Sequence, residues 1–161
     1  MIKKFNILFI TLFNIGKIKY APGTLASFAT CVIFLFLSNF LNLVLLALCI
    51  LVIFLYSLIA INLSYESFNS DDPQEIVIDE FVGQSLPLLA VPVYETLYSM
   101  PLIFYYILSF IIFRFFDIFK PFPINYIDKN TKGSLGIMLD DIIAGLFTVI
   151  LLILVFFLIG G

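Results

Sequence analysis

Long apolar segments separated by short polar ones make up most of the chain. The longest apolar segment, 25–63, is uncharged and has its clearest polar break at 38–42. A helix needs about 20 residues to cross a bilayer, and this segment is nearly twice that long. The pattern therefore predicts two antiparallel membrane spans, at 25–40 and 43–63, joined by a tight turn.

Three further apolar segments follow in the second half of the chain. The first two are short, and their lengths fit either two spans or a re-entrant pair, whereas the last is long enough to cross. The predicted spans in this half are 78–94, 101–116 and 141–159. All five together predict an all-α protein, a multi-pass transmembrane helical bundle that forms a single membrane domain over residues 1–161.

The composition agrees with a bilayer as the surrounding medium. Hydrophobic residues make up 63% of the chain and charged residues only 12%, against about 25% charged residues in soluble domains. The net charge of −3 and the lack of a basic stripe argue against nucleic-acid binding. There is no histidine, and Cys31 and Cys49 lie in apolar segments, where a thiol behaves as a small hydrophobe. Acid–base or metal chemistry therefore falls to carboxylates.

The N-terminal stretch MIKKFNILFITLF is similar to a signal peptide, because two lysines precede a short apolar run. However, the polar sequence GKIKY follows it, and no small-x-small cleavage site is present. We therefore expect this stretch to be retained as an amphipathic or interfacial segment.

The charged residues sort onto one side of a five-span arrangement. If every segment crosses, the N-terminal segment shares a side with the 64–80 and 117–140 connections, and ten of the eleven acidic residues lie there, all but Glu95. The basic residues lie on that side or at its boundary: Lys3, Lys4, Lys17, Lys19, Arg114, Lys120, Lys129 and Lys132. Basic connections stay in the cytoplasm, so we expect the charged face to be cytoplasmic.

Two local signals predict where helices begin on this side. The stretch Asp72–Glu75 has the pattern of a capping box with proline at the first helical position. It predicts a helix that carries Glu75, Asp79 and Gly83 along one face. Thr24, which follows a Pro-Gly pair, is expected to cap the first span.

Five acidic residues stand at the ends of different apolar segments on the charged side: Asp79, Glu80, Asp117, Asp140 and Asp141. Converging carboxylates cannot all stay ionised unless a cation offsets their repulsion, and oxygen ligands without His or Cys favour Mg²⁺. Gly83 and Gly145 each lie four residues beyond a member of a doublet and predict close helix contacts. We expect one of the two aspartates at 140 and 141 to complement the N-terminal dipole of the last helix.

A second group supplies cations and hydroxyl groups on the same side: Lys19, Thr24, Ser27, Arg114 and Lys120, with Lys17 nearby. Helix N-termini, a glycine turn and an arginine beside carboxylates together form a credible cradle for phosphate. Arg114 and Asp117 are three residues apart, so an interfacial ion pair explains them equally well. Carboxylates, Mg²⁺ and phosphate-binding groups at a bilayer surface indicate phosphoryl chemistry on a lipid headgroup.

Four stretches resemble the phosphatidylglycerophosphatase A family in order and spacing: KYAPGTLAS (Lys19–Ser27), IVIDEFVGQ (Ile76–Gln84), FRFFDIFKPFPI (Phe113–Ile124) and GSLGIMLDDIIAG (Gly133–Gly145). The similarity extends over nearly the whole chain. It implies a Mg²⁺-dependent lipid phosphatase of the bacterial inner membrane. Such an enzyme removes the terminal phosphate of phosphatidylglycerol phosphate, giving phosphatidylglycerol and inorganic phosphate in phospholipid biosynthesis.

The resemblance also implies roles for individual residues. The acidic positions of the family's motifs fall on Asp79, Glu80, Asp117, Asp140 and Asp141, which are the expected catalytic residues. We expect all of these except Asp117 to hold Mg²⁺, and Asp117 to act as a ligand or base. The expected phosphate-binding residues are Lys19, Thr24, Ser27, Arg114 and Lys120. The expected partners are a membrane phospholipid and the bilayer. The sequence leaves open the number of metal ions and the oligomeric state. It also leaves open whether the reaction passes through a covalent aspartyl-phosphate or through direct attack by water.

Two alternatives make different demands on the sequence. A CDP-alcohol phosphotransferase also uses carboxylates and a divalent metal, but its signature D-G-x2-A-R-x8-G-x3-D-x3-D is not found in the chain. A small cation transporter or channel subunit would need carboxylates near mid-span or an inverted repeat, whereas these carboxylates gather at one boundary. Cation flux in liposomes without phosphate release would favour the transporter.

Overall fold

Helices account for all the regular structure in the described part of the chain. The computed structural model describes residues 2–68, 73–98 and 100–160. Its eight α-helices are α1 Ile2–Ile10, α2 Pro22–Leu37, α3 Leu43–Ser64, α4 Ile78–Leu89, α5 Val91–Leu97, α6 Leu102–Phe119, α7 Ile124–Asn130 and α8 Gly133–Gly160. The predicted all-α class is confirmed.

Among the described residues, three helices, α3, α6 and α8, are long and apolar enough to cross a membrane. The side chain of Asn42 caps α3 by accepting a hydrogen bond from the Leu45 N–H at 2.9 Å, which satisfies a donor that the first helical turn leaves free. α2 is apolar but shorter, with 16 residues. The outward faces of these helices expose large side chains such as Phe36, Leu55 and Ile111, as expected for contact with lipid tails.

The short helix α4 lies at the centre of the bundle. It packs against α2, α3, α6 and α8, and eight of its twelve residues are buried. Because other helices surround α4 on all sides, its first turn, with Asp79 and Glu80, is held in place at one end of the bundle.

The segment 78–94, expected to be one span, is divided between α4 and α5. Pro87 lies inside α4 and Pro92 lies at the start of α5. A proline removes a backbone N–H donor and clashes with the preceding turn, so two prolines this close together favour a break at Ala90. The five-span arrangement therefore stays a prediction.

The polar segment 117–140 is mostly helical, whereas the sequence suggested a loop. α6 continues through Asp117 to Phe119, α7 follows, and α8 begins at Gly133, whose φ of 72° starts the helix from a left-handed turn. Asp140 and Asp141 therefore lie about two turns inside α8. The helix-dipole explanation for either aspartate is wrong, because that effect is confined to the first turn.

Both predicted helix starts are displaced. α4 begins at Ile78, and Glu75 lies in a turn before it, off the helical face of Asp79; Asp72 lies outside the described residues. The start is fixed elsewhere, by a hydrogen bond of 3.0 Å from the Val77 N–H to the Ile10 carbonyl. α2 begins at Pro22, so Thr24 is its third residue and does not cap it.

The end of the bundle away from the carboxylates holds an aromatic cluster of Tyr94, Tyr105 and Phe156. All three side chains are at most 2% exposed. The Phe156 ring centroid lies 5.2 Å from each tyrosine ring centroid, a distance at which aromatic rings attract one another. This aromatic cluster ties α5, α6 and α8 together.

Candidate active site

Three carboxylates from α4 and α8 meet at the charged end of the bundle. Oxygen atoms of Asp79, Glu80 and Asp141 all lie within 4.8 Å of one another. Asp141 is only 3% exposed, and the other two are half-buried. We call these three residues the carboxylate trio. Like charges this close repel strongly when water is excluded.

Two glycines let the helices that carry the trio approach closely. A Cβ atom at Gly83 would lie 2.6 Å from the backbone oxygen of Asp141, and a Cβ atom at Gly145 would overlap the Gly83 backbone oxygen. No side chain fits at either position without moving the backbone, so the predicted close contacts are confirmed. The glycines set the separation between α4 and α8, and with it the geometry of the trio.

The trio also carries buried oxygen atoms that lack a hydrogen-bond partner among the described residues. Asp79 Oδ1 and Glu80 Oε2 are inaccessible to solvent and have no hydrogen-bond partner among the described residues. A buried polar atom without a partner costs folding free energy. Acceptor oxygens from three carboxylates, with no nitrogen or sulphur ligand, suit a hard divalent cation such as Mg²⁺. The residues present therefore fit the expected ion.

Arg114 on α6 is already engaged by the protein. Its guanidinium forms an ion pair with Asp117, lies 4.0 Å from Glu80 Oε1, and donates to Ser27 Oγ at 3.4 Å. Ser27 is fully buried and itself donates to the Gly23 carbonyl at 3.0 Å. The ion-pair interpretation of Arg114 and Asp117 is confirmed. Ser27 accepts a hydrogen bond from the guanidinium and so helps to fix its position.

Lys120, at the end of α6, bridges two acidic residues. Its Nζ atom lies 2.6 Å from Asp128 Oδ1 on α7 and 2.6 Å from Asp140 Oδ2 on α8. Burial lowers the pKa of Lys120, but the hydrogen bonds to both carboxylates outweigh it and raise the pKa above its ordinary value. The ammonium group therefore stays charged and holds α6, α7 and α8 together.

The first turn of α2 faces the trio. A Cβ atom at Gly23 would overlap Glu80 Oε1, so the carboxylate lies directly against the glycine backbone. Ala21 has a left-handed φ of 47°, and Pro22 occupies the first helical position. The N–H groups of a first helical turn have no partner within the helix, and such a turn attracts anions.

These elements enclose a cavity of about 910 Å³, within the size range of small-molecule sites. Residues from α2, α4, α6, α7 and α8 line it, including the whole trio. The charged residues that line it are Lys19, Asp79, Glu80, Arg114, Asp117, Lys120, Asp128, Lys129, Lys132, Asp140 and Asp141. The cavity therefore gathers most of the charge of a mainly apolar chain.

The sequence profile of phosphatidylglycerophosphatase A matches residues 8–156. The chain belongs to the phosphatidylglycerophosphatase A family. Proteins with this name from Haemophilus influenzae and Escherichia coli are 34% and 32% identical to the chain over 138 and 136 residues. These alignments cover 86% and 84% of the chain, and 80% and 74% of the respective relatives.

A further relative carries a different name. A Bacteroides thetaiotaomicron protein, provisionally named phosphatidylinositol-3-phosphatase, is 35% identical over 151 residues, which cover 92% of the chain and 91% of that protein. No solved structure is significantly similar to the chain. Membership of the phosphatidylglycerophosphatase A family makes the protein a phosphatase, and hence a hydrolase.

In this member of the phosphatidylglycerophosphatase A family, the expected metal ligands separate into two groups. Asp79, Glu80 and Asp141 form the trio, whereas Asp140 turns to Lys120 and lies outside it. The separation follows from helix geometry, because adjacent residues on α8 point about 100° apart. One oxygen of Asp140, Oδ1, is nevertheless buried without a partner.

The expected phosphate-binding residues also separate. Lys19 and Thr24 line the cavity, and Lys19 is exposed. Arg114 and Lys120 line it too, but both are held in ion pairs. Ser27 is not among the lining residues.

Sequence reasoning missed three residues that the phosphatidylglycerophosphatase A fold brings to the cavity: Asp128, Lys129 and Lys132. The sequence indicates only membrane orientation for Lys129 and Lys132, and no motif singles out Asp128. Their positions depend on how α7 folds back onto α8, which no local pattern encodes. One sequence feature could have predicted their place at the cavity, namely that they follow closely after the motif that contains Lys120.

Proposed function

We propose that the protein hydrolyses the terminal phosphate monoester of phosphatidylglycerol phosphate, yielding phosphatidylglycerol and inorganic phosphate for phospholipid synthesis. The observation that carries this proposal is the family match over residues 8–156, which includes every residue of the trio. Two helices long enough to cross a membrane, α6 and α8, contribute residues to the cavity lining, so the acyl chains of a lipid substrate can stay in the bilayer while its headgroup enters.

The trio is the proposed Mg²⁺ site, with Asp140 close by on the same helix. A bound Mg²⁺ would supply Lewis-acid stabilisation of the negative charge on the phosphoryl oxygens. The charge of the cavity supports this assignment. Six carboxylates and five cations line it, a formal charge of −1, and a phosphate monoester adds between −1.5 and −2, roughly. A divalent cation offsets that repulsion.

The residues of the chain then divide the remaining tasks. The first turn of α2, with Thr24, offers backbone N–H groups to the phosphate, and Lys19 adds positive charge at the rim. Hydrolysis forms a bond from a water oxygen to phosphorus and breaks the bond to the glycerol oxygen. The glycerol oxygen takes up one proton to leave as the hydroxyl of phosphatidylglycerol, and the attacking water gives up one proton. Carboxylate oxygens without a partner in the protein are suited to accept that proton.

Arg114 and Lys120 act mainly as positioning residues in this proposal. Arg114 holds Asp117 and lies 4.0 Å from Glu80, so it orients one member of the trio. Lys120 fixes Asp140. Direct contact of either cation with the substrate phosphate stays a prediction from the sequence resemblance.

The site is proposed to face the cytoplasm from the bacterial inner membrane. The support is the distribution of charge along the chain, since basic connections remain on the cytoplasmic side. Labelling of single cysteines introduced at Lys132 and at Glu95 in intact cells tests it. Labelling by a membrane-impermeant reagent is expected only for the cysteine at position 95.

The relative from Bacteroides thetaiotaomicron favours one second candidate substrate, phosphatidylinositol 3-phosphate. Both candidate substrates are phospholipids that carry a phosphate monoester on a polar headgroup, so the same trio would serve either. They differ in the bulk of the headgroup, an inositol ring in place of glycerol.

Phosphate release by purified protein in phosphatidylcholine vesicles tests these proposals. We expect rapid release from phosphatidylglycerol phosphate, much slower release from phosphatidylinositol 3-phosphate, and loss of both after chelation with recovery on adding Mg²⁺. Full activity in the presence of chelator would contradict the metal assignment. A preference for the inositol lipid would replace the proposed substrate.

A further inference from the structure

Two lysines at the rim of the cavity have no role in the reaction described so far. Lys129 lies on α7, and Lys132 lies in the connection between α7 and α8. Both line the cavity and both are exposed. Neither forms an ion pair with any carboxylate in the described part of the chain, in contrast to Arg114 and Lys120. They are therefore available to bind an anion.

The segment that carries these lysines is anchored to the rest of the site. Asp128, the residue before Lys129, is held by Lys120 at 2.6 Å. Gly136 on α8 packs so closely on the Thr131 carbonyl that a Cβ atom would overlap it. These two contacts fix α7 and the following connection against α8, so the two lysines are presented at a defined place on the rim.

The proposed substrate carries two kinds of anionic group. Its phosphate monoester must lie at the trio to react, and its phosphodiester lies one glycerol unit away, towards the acyl chains. Nothing at the trio is suited to the diester, because the carboxylates repel it, Arg114 and Lys120 are paired, and Lys19 is assigned to the monoester. Lys129 and Lys132, which lie elsewhere in the same cavity, supply positive charge that complements the negative charge of the phosphodiester.

We infer that Lys129 and Lys132 form a second anion-binding site that takes the phosphodiester of the lipid headgroup. The inference rests on the proposed function. It assigns substrate selection to α7, since a lipid whose only phosphate is the monoester would gain nothing from these lysines. Basic residues near a membrane also attract the whole protein to anionic lipid. The proposed contact is different, because it is made with the headgroup of the bound substrate.

The test compares the double variant Lys129→Gln, Lys132→Gln with the wild type in neutral phosphatidylcholine vesicles that contain phosphatidylglycerol phosphate. We expect KM to rise about three- to tenfold, as for the loss of two exposed ion pairs, while kcat stays unchanged. Phosphatidate has a phosphate monoester but no such diester. Its KM as a substrate, or its inhibition constant as a competitor, should not change.

Two controls sharpen the comparison. The double variant Lys129→Arg, Lys132→Arg keeps both charges and should keep the wild-type KM. The double variant Lys3→Gln, Lys4→Gln removes the same charge from the exposed face of α1, outside the cavity. It should also behave as the wild type, since neutral vesicles remove the contribution of bulk anionic lipid.

Three results would overturn the inference: an unchanged KM in the Lys129/Lys132 glutamine variant, an equal weakening of both lipids, or an equal effect of the α1 variant. A wild-type protein that does not hydrolyse phosphatidylglycerol phosphate at all would refute the proposed function, and this inference with it. The two failures are distinguishable, because the second is seen before any variant is made.

Discussion

The two ends of the bundle differ in whether their buried polar atoms have hydrogen-bond partners. At the aromatic cluster, the hydroxyls of Tyr94 and Tyr105 donate to backbone carbonyls of Val149 and Tyr98. At the trio, carboxylate oxygens of Asp79 and Glu80 are equally buried but have no partner among the described residues. The two hydroxyls are therefore paired within the protein, whereas the trio has acceptor oxygens that are open to a ligand.

Buried polar atoms without a partner also occur on Ser64, Gln84 and Ser109, but only at the trio are they grouped carboxylates among the described residues. We therefore expect the aromatic cluster to serve stability and the trio to serve chemistry. A buried polar atom without a partner lowers the free energy of unfolding, so a chain gains nothing in stability by keeping one. The aromatic cluster, with its satisfied hydroxyls and stacked rings, stabilises the bundle. Substitutions at the trio should therefore lower activity without lowering stability, and substitutions at the aromatic cluster should lower stability without lowering activity.

The largest effect is expected on activity, from Asp79→Asn combined with Asp141→Asn. Losing the cation should reduce kcat by about 10³-fold or more, equal to about 4 kcal/mol, in a phosphate-release assay. Thermal unfolding in detergent without divalent cations should occur at the same temperature or higher, because repulsion within the trio is relieved. Glu95→Gln, an exposed acid at the other end, serves as the control. Near wild-type activity of the double variant would contradict the assignment.

Phe156→Ala should have the opposite signature. Removing a ring that is 1% exposed should lower the free energy of unfolding by about 3 kcal/mol, while activity per folded molecule stays unchanged. The neighbouring Phe157 is 70% exposed, so Phe157→Ala is a matched control with a small effect. The free energy of unfolding is measured by denaturation in detergent. Equal destabilisation by both substitutions would show that the aromatic cluster is not a stabilising core.

Gly83→Ala lies between the two ends and should affect both properties. Its Cβ atom would meet the Asp141 backbone oxygen, so we expect a loss of about 1–3 kcal/mol in stability and lower activity through a displaced trio. Gly133→Asn is the control, because nothing lies within 4 Å of a Cβ atom there and asparagine tolerates a positive φ. A stable and fully active Gly83→Ala variant would exclude the close helix contact.

The smallest effect is expected for Tyr94→Phe. The change removes one hydrogen bond of 3.3 Å to the Val149 carbonyl and keeps the ring, so stability should fall by about 1 kcal/mol. Phosphate release should not change. A marked loss of activity would mean that the aromatic cluster and the trio are coupled, and that the two ends are not independent.

The sequence alone was sufficient for the class of fold and for the carboxylates at one end. Long apolar segments predict membrane-length helices because no polar group can be left unpaired in lipid, and α3 and α8 follow that pattern. The doublets at 79–80 and 140–141 interrupt otherwise apolar segments, which is why they stood out. The glycines four residues further on correctly predicted the contact between α4 and α8.

The remaining details depended on contacts that no local pattern encodes. α6 and α8 extend into the polar segment 117–140 because its charged side chains line a cavity and pair with one another, as Lys120 does. Whether Asp140 or Asp141 joins the trio depends on the rotation of α8 against α4. The place of Lys129 and Lys132 depends on α7 folding back onto α8, a tertiary contact.

The most direct test of the central claim counts bound Mn²⁺ by electron paramagnetic resonance, which reads the cation site without relying on activity. We expect the wild type and Glu95→Gln to bind at least one Mn²⁺ that Mg²⁺ displaces, and the double variant Asp79→Asn, Asp141→Asn to bind none at the same concentration. Equal Mn²⁺ binding by the double variant and the wild type would contradict the claim that the trio holds the metal.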